Sequence, residues 1–87
     1  MQVKIYSSAT HHEYRLMIPD GKEIGDITGL IKAAVEQMGG WEERSHDEID
    51  GNRPEYRETL DDLAEHGASL WMVSLDYIGR IAVEPAG

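Results

Sequence analysis

The spacing of apolar residues changes twice along this chain of 87 residues, and that change of period limits the fold more than any single residue does. Over residues 2–7, Val3 and Ile5 alternate with Gln2, Lys4 and Tyr6. Over residues 13–18, Tyr14, Leu16 and Ile18 alternate with Glu13, Arg15 and Met17. A period of two is that of a strand with one face buried. Ser8, Ala9, Thr10 and His11 supply a hairpin connection, and Pro19, Asp20 and Gly21 a turn, because proline presets φ and glycine accepts positive φ. The period then lengthens. Ile27, Leu30, Ile31, Ala34, Val35 and Met38 recur at steps of three and four, as on one stripe of an amphipathic helix. Asp26 is expected to cap its start, and Gly39 with Gly40 to end it. Gly29 lowers helix propensity by up to about 1 kcal/mol and suits a close approach to the sheet.

Residues 41–53 have no apolar period and read as an exposed acidic loop pinned by Trp41 and Ile49. A second helix is expected over residues 54–66, with Pro54 in its first turn and Tyr56, Leu60, Leu63 and Ala64 as its buried stripe. Strands follow over residues 70–75 and 80–84, the latter with Ile81 and Val83 inward, joined by a turn at Asp76, Tyr77, Ile78 and Gly79. The order is ββααββ. The economical packing is an α+β domain in which an antiparallel sheet of about four strands, as two hairpins, carries both helices on a single face. The periods leave strand order open.

A chain this short forms one domain, residues 1–87, and on folding buries only about 60% of the surface its unfolded form exposes. The absence of cysteine excludes disulfides, thiolate metal sites and a cysteine nucleophile. No apolar run approaches the roughly 20 residues that span a bilayer, and the N-terminal residues lack a long apolar segment, so a soluble, cytoplasmic protein is expected.

Charge is the most directional feature for function. Seventeen acidic residues face eight lysines and arginines, for a formal net charge of −9. Glu42, Glu43, Asp47, Glu48, Asp50, Glu55, Glu58, Asp61, Asp62 and Glu65 lie within residues 42–65 beside only Arg44, Arg53 and Arg57. On a helical wheel Glu55, Glu58, Asp61, Asp62 and Glu65 occupy an arc of about 120° opposite the apolar stripe. Surface helices commonly mix Glu with Lys at spacings of four, each pair contributing about 0.2 to 0.5 kcal/mol, and this helix has no lysine. Such a surface repels nucleic acid and anionic membrane and attracts basic protein.

Chemical constellations are sparse. His11 and His12 are adjacent and point to opposite faces if extended, so His11 with Glu13 is the pair to consider for a metal, with His46, Asp47 or His66 needed to complete it. Aligning Gly51 with the glycine of a calcium loop puts Arg57 where a bidentate Glu belongs, which excludes an EF-hand. Ser7, Ser8 and His12 lack the context of a nucleophilic triad, and no GxGxxG or P-loop pattern is present. Neither a catalytic residue, a metal ligand nor a cofactor is assigned.

In size, acidity and lack of cysteine, though not in any motif or individual residue, the chain is similar to the small inhibitors that phages encode against bacterial defence systems, including anti-CRISPR proteins. That similarity and the charge together imply a non-catalytic binding protein, viral in character. It would engage a basic, nucleic-acid-handling protein by imitating phosphate charge. Trp41 and the ten acidic residues just named form the expected contact surface. The alternatives are a homo-oligomeric structural or accessory protein and a metal-dependent enzyme.

Overall fold

The computed structural model describes residues 1–82 and has the order β1 (Gln2–Ser8), β2 (Tyr14–Pro19), α1 (Gly29–Met38), β3 (Trp41–Glu48), α2 (Arg57–His66), β4 (Ser69–Val73) and β5 (Ile78–Arg80). Short 3-10 turns at Ile24–Asp26 and Pro54–Tyr56 precede the two helices. The α+β class stands. The sheet has five strands, in the order β3-β1-β2-β4-β5, and every pair is antiparallel.

The added strand is β3, where an acidic loop was expected. Its residues are almost all exposed, so it carries no apolar alternation, and its strand form comes from backbone pairing with β1. Val3, Ile5 and Ser7 point their peptide groups away from β2, and without β3 these would be sheet-edge groups. The two expected anchors hold: Ile49 is buried, and Trp41 packs against the core and donates its Nε1–H to Val35 O at 2.9 Å. They lie eight residues apart, which in a regular strand would put them on one face. They lie on opposite faces, because Arg44 is an extra residue where the register shifts from Ile5–Ser45 to Tyr6–Glu43.

The helices also lie on opposite faces of the sheet, not on one. Leu16, Ile18, Leu70 and Tyr6 form a cluster with Ile27, Ile31 and Val35 of the α1 region. Val3 and Met17, which alternate with those residues, pack with Leu63 of α2 and with Ile49, Leu60 and Trp71. The molecule therefore has three layers, helix, sheet and helix. Tyr6 and Met17 are buried for that reason, on the sides of their strands that a half-buried reading leaves to solvent.

Local details differ in instructive ways. Thr28, not Asp26, occupies the α1 N-cap, while Asp26 closes the preceding 3-10 turn by accepting the Glu23 N–H at 2.9 Å. Gly29 has φ +71, and a Cβ there would lie 2.5 Å from His66 Nδ1. The glycine thus permits the approach of α1 to the end of α2, where Thr28 N–H donates to His66 O at 2.8 Å, and not an approach to the sheet. Leu30, expected on the α1 stripe, is exposed. The last turn is Ser74 to Tyr77, earlier than expected, because the Ser74 hydroxyl donates to Tyr77 O and accepts the Tyr77 N–H. Ile78 therefore begins β5. Ile81 follows β5, donating its N–H to Leu70 O, while Val83 and Glu84 of the expected strand lie outside the described residues.

Candidate functional site

The acidic residues divide into two groups with different partners. On α2 the buried face is turned toward Thr59, Asp62 and Leu63, while Ala64 is exposed. Asp62, expected on the outer acidic arc, is buried. It accepts Arg80 Nε–H at 2.6 Å, Arg80 Nη2–H at 2.8 Å and the Ser69 hydroxyl at 3.1 Å. Thr59 is likewise buried and accepts Trp71 Nε1–H at 3.1 Å. Hydropathy counts both residues as outward. They face inward because β4 and β5 present matching donors on that side of the sheet.

Arg80 also donates to Glu58 at 3.0 Å, so one guanidinium neutralises two of the five acids on the arc. Hydrogen bonding to Asp62 raises its pKa against the opposing effect of burial. Glu55 pairs with Arg53 at 3.4 Å, and Glu65 lies 3.8 Å from His66. Asp61 is exposed with no cation within 4 Å among the described residues, although Arg57 stands one helical turn before it and its charge acts on Arg80. The expected anionic face of α2 is therefore reduced to Asp61, Glu65 and two glutamates in exposed pairs. A concavity of about 440 Å³ beside it is lined by Pro54, Glu55, Arg57, Glu58 and Arg80, a mixture of both signs.

The acids of β3 keep their charge open. Trp41, Glu43, His46 and Glu48 lie on the α1 side of the sheet, opposite Ser8, Tyr6, Lys4 and Gln2; Glu42, Ser45 and Asp47 lie on the α2 side, opposite Ser7, Ile5 and Val3. Both sides of this strand are thus acidic. Glu42, Glu48 and Asp50 have no cation within 4 Å among the described residues. Glu43 has His46 at 3.5 Å and lies on the same side of the sheet as Lys4, whose pKa is raised, against the effect of burial, by Tyr6 and by the charges of Glu23 and Glu43. Asp47 accepts the N–H of Glu48 at 2.8 Å, and Asp50 that of Asn52 at 2.9 Å. Arg44, the bulge residue, lies toward Arg15, whose pKa is lowered by burial and by that like charge.

The residues considered for a metal are scattered. His11 is exposed by the β1–β2 connection, edge-on to Tyr14, while His46 lies on β3 and His66 at the end of α2. Among the described residues no three His, Asp or Glu side chains converge on one point. No described helix is long and apolar enough to cross a membrane.

Sequence reasoning singled out the acids but missed that four of the ten, Glu42, Glu43, Asp47 and Glu48, stand on the edge strand of a sheet. The usable signal was Trp41 and Ile49 bracketing seven polar residues, with Gly40 before and Gly51 after. No protein-family model matches the sequence, no curated protein is significantly similar to it, and no solved structure matches its fold.

Proposed function

We propose that the protein is a non-catalytic binding module for a basic protein surface, with β3 and the following acidic loop as its principal contact. The observation that supports this reading is the set Glu42, Glu43, Asp47, Glu48 and Asp50, exposed on and beside one strand, with no Lys or Arg within 4 Å of them among the described residues. Carboxylates crowded without cations repel one another, and a cationic partner relieves that cost. The partner best suited is a nucleic-acid-handling protein, whose groove is already built to accept a row of negative charges.

The test is recovery of partners from native cell extract by the immobilised protein and by a variant carrying Glu42→Gln, Glu43→Gln, Asp47→Asn and Glu48→Gln. A basic protein held by the native chain, released by moderate salt and lost with the variant is the expected result. Partners retained equally by both proteins, or unmoved by salt, reject the reading. A second reading, self-association, is favoured by one observation: Val73, Leu75, Tyr77 and Ile78 are exposed together on the β4–β5 hairpin. Analytical ultracentrifugation decides it, since a monomer at all concentrations excludes assembly.

A further inference from the structure

The hydrogen-bond phase of the sheet shows which peptide groups of β3 face outward. Met1 and Ile49 exchange both main-chain bonds, Met1 N to Ile49 O at 3.0 Å and Ile49 N to Met1 O at 2.8 Å. In an antiparallel pair such bonded positions alternate with unbonded ones. Val3–Asp47 and Ile5–Ser45 are therefore bonded, and Gln2–Glu48 and Lys4–His46 are not. Ala9 N donates to Gly40 O beyond the bulge, which makes Ser7–Glu42 bonded and Tyr6–Glu43 and Ser8–Trp41 unbonded. The opposite side of β1 gives the same phase: Asp20 N donates to Gln2 O, so Gln2, Lys4 and Tyr6 are turned toward β2. Trp41, Glu43, His46 and Glu48 thus direct their N–H and C=O groups to the open edge. The Glu48 N–H that Asp47 captures is one of these. By this phase β1 does not use the N–H groups of the other three residues, and no bond outside the ladder takes them among the described residues.

We infer that the open edge of β3 receives an extended, lysine- or arginine-rich segment of a partner protein as a sixth strand. This rests on the reading proposed above and specifies its mode: main-chain bonds to Trp41, Glu43 and His46 hold the segment, and the acids select it. Because acids stand on both sides of β3, cationic side chains on either side of the incoming strand meet a carboxylate: Glu43 and Glu48 on one, Glu42 and Asp47 on the other. A second copy of this chain is the wrong occupant, since pairing two β3 edges would set these carboxylates against their own kind in a protein of net charge −9. Charge and bulges commonly guard free edges against self-pairing. Here the guard is mainly negative, with Arg44 at the bulge as the exception, so what it excludes in a copy it attracts in a cationic strand.

The test uses a capped nine-residue peptide of alternating lysine and valine, its counterpart N-methylated at every second residue, and the variant His46→Pro. Proline at residue 46 removes an N–H that faces outward, keeps the β1 ladder and leaves the count of carboxylates unchanged. Strand addition predicts that the peptide binds the native protein, that amide exchange slows at Glu43 and His46 but not at Glu42 and Ser45, and that His46→Pro or N-methylation each weakens binding at least about tenfold. If the peptide binds in a salt-sensitive way with equal affinity in all three cases, strand addition is overturned while charge recognition stands. If it does not bind at all, both fail. Should His46→Pro unfold, which circular dichroism would reveal, the N-methylated peptide alone still separates the outcomes.

Discussion

The two margins of this sheet meet the same physical problem in different ways. A terminal strand exposes a row of unpaired peptide groups that invites another chain. At β3 the row is long, eight residues, and is covered by charge, a bulge at Arg44 and the Asp47 carboxylate on the Glu48 N–H. At β5 the strand has three residues, and the Tyr77 hydroxyl donates to the Arg80 carbonyl at 2.9 Å, covering one group by a side chain from the adjoining turn. The β5 margin carries apolar side chains, with Ile78 and Leu75 exposed, where β3 carries acids. One margin is long and selective by charge. The other is short and relies on having little to offer.

The margins also differ in what holds them. β3 is fixed by backbone bonds to β1 and by the two anchors Trp41 and Ile49, whereas β5 is tied down by Arg80 reaching Asp62 and Glu58 of α2. The largest expected effect follows. Arg80→Ala leaves Asp62, whose side chain is 8% exposed, without its cation and with Ser69 as its remaining side-chain donor. Removing one partner of a buried pair costs about 3 to 5 kcal/mol, and urea denaturation should register about 3, since the Arg80 side chain is itself 24% exposed. A loss below about 1 kcal/mol would mean that β5 is held by its pairing with β4 alone.

The same contrast separates what the residue order reveals from what it conceals. β1, β2 and the α1 stripe were legible because Val3, Leu16, Ile18, Ile31 and Val35 carry period and burial together. The second buried face was not, because Tyr6 and Met17 occupy positions that a strand covered on one side leaves to water, and each is a lone apolar residue there. β3 was concealed because its strand form is dictated by the peptide groups of β1, a cause far away in the chain. At the candidate site, the exposed acids of β3 could be identified by type and position, but the inward turn of Asp62 depended on Arg80 and Ser69, which no local pattern on α2 encodes.

A proline pair sharpens the phase assigned to β3. Ser45 points its N–H toward Ile5 of β1 and His46 points its own outward. Ser45→Pro removes a ladder bond and pushes a ring against β1, an expected loss of about 2 kcal/mol, while His46→Pro should cost under about 1 kcal/mol. Thermal or urea unfolding of the two neighbours is a direct comparison. The reverse order would show that the bonded and unbonded positions had been exchanged, with Glu42, Ser45 and Asp47 on the outward edge, and equal losses would show that the ladder bond of Ser45 adds nothing measurable.

The smallest expected effect on stability is at the other margin. Leu75 is fully exposed at the tip of the β4–β5 hairpin, so Leu75→Lys removes no buried contact and should leave unfolding within about 0.5 kcal/mol of the native protein. Its expected consequence lies in solution behaviour: a cation at the centre of the Val73, Leu75, Tyr77 and Ile78 patch opposes apolar contact between copies, and light scattering at high protein concentration should fall. The measurement is informative in combination with β3. If self-association drops with Leu75→Lys and is indifferent to neutralising Glu43 and Glu48, the apolar hairpin is the margin that meets copies, and the acidic one is left for a cationic partner. If instead neutralising those glutamates induces self-association that Leu75→Lys does not reverse, the negative charge of β3 acts chiefly as a barrier between copies, and its attraction for other proteins is incidental.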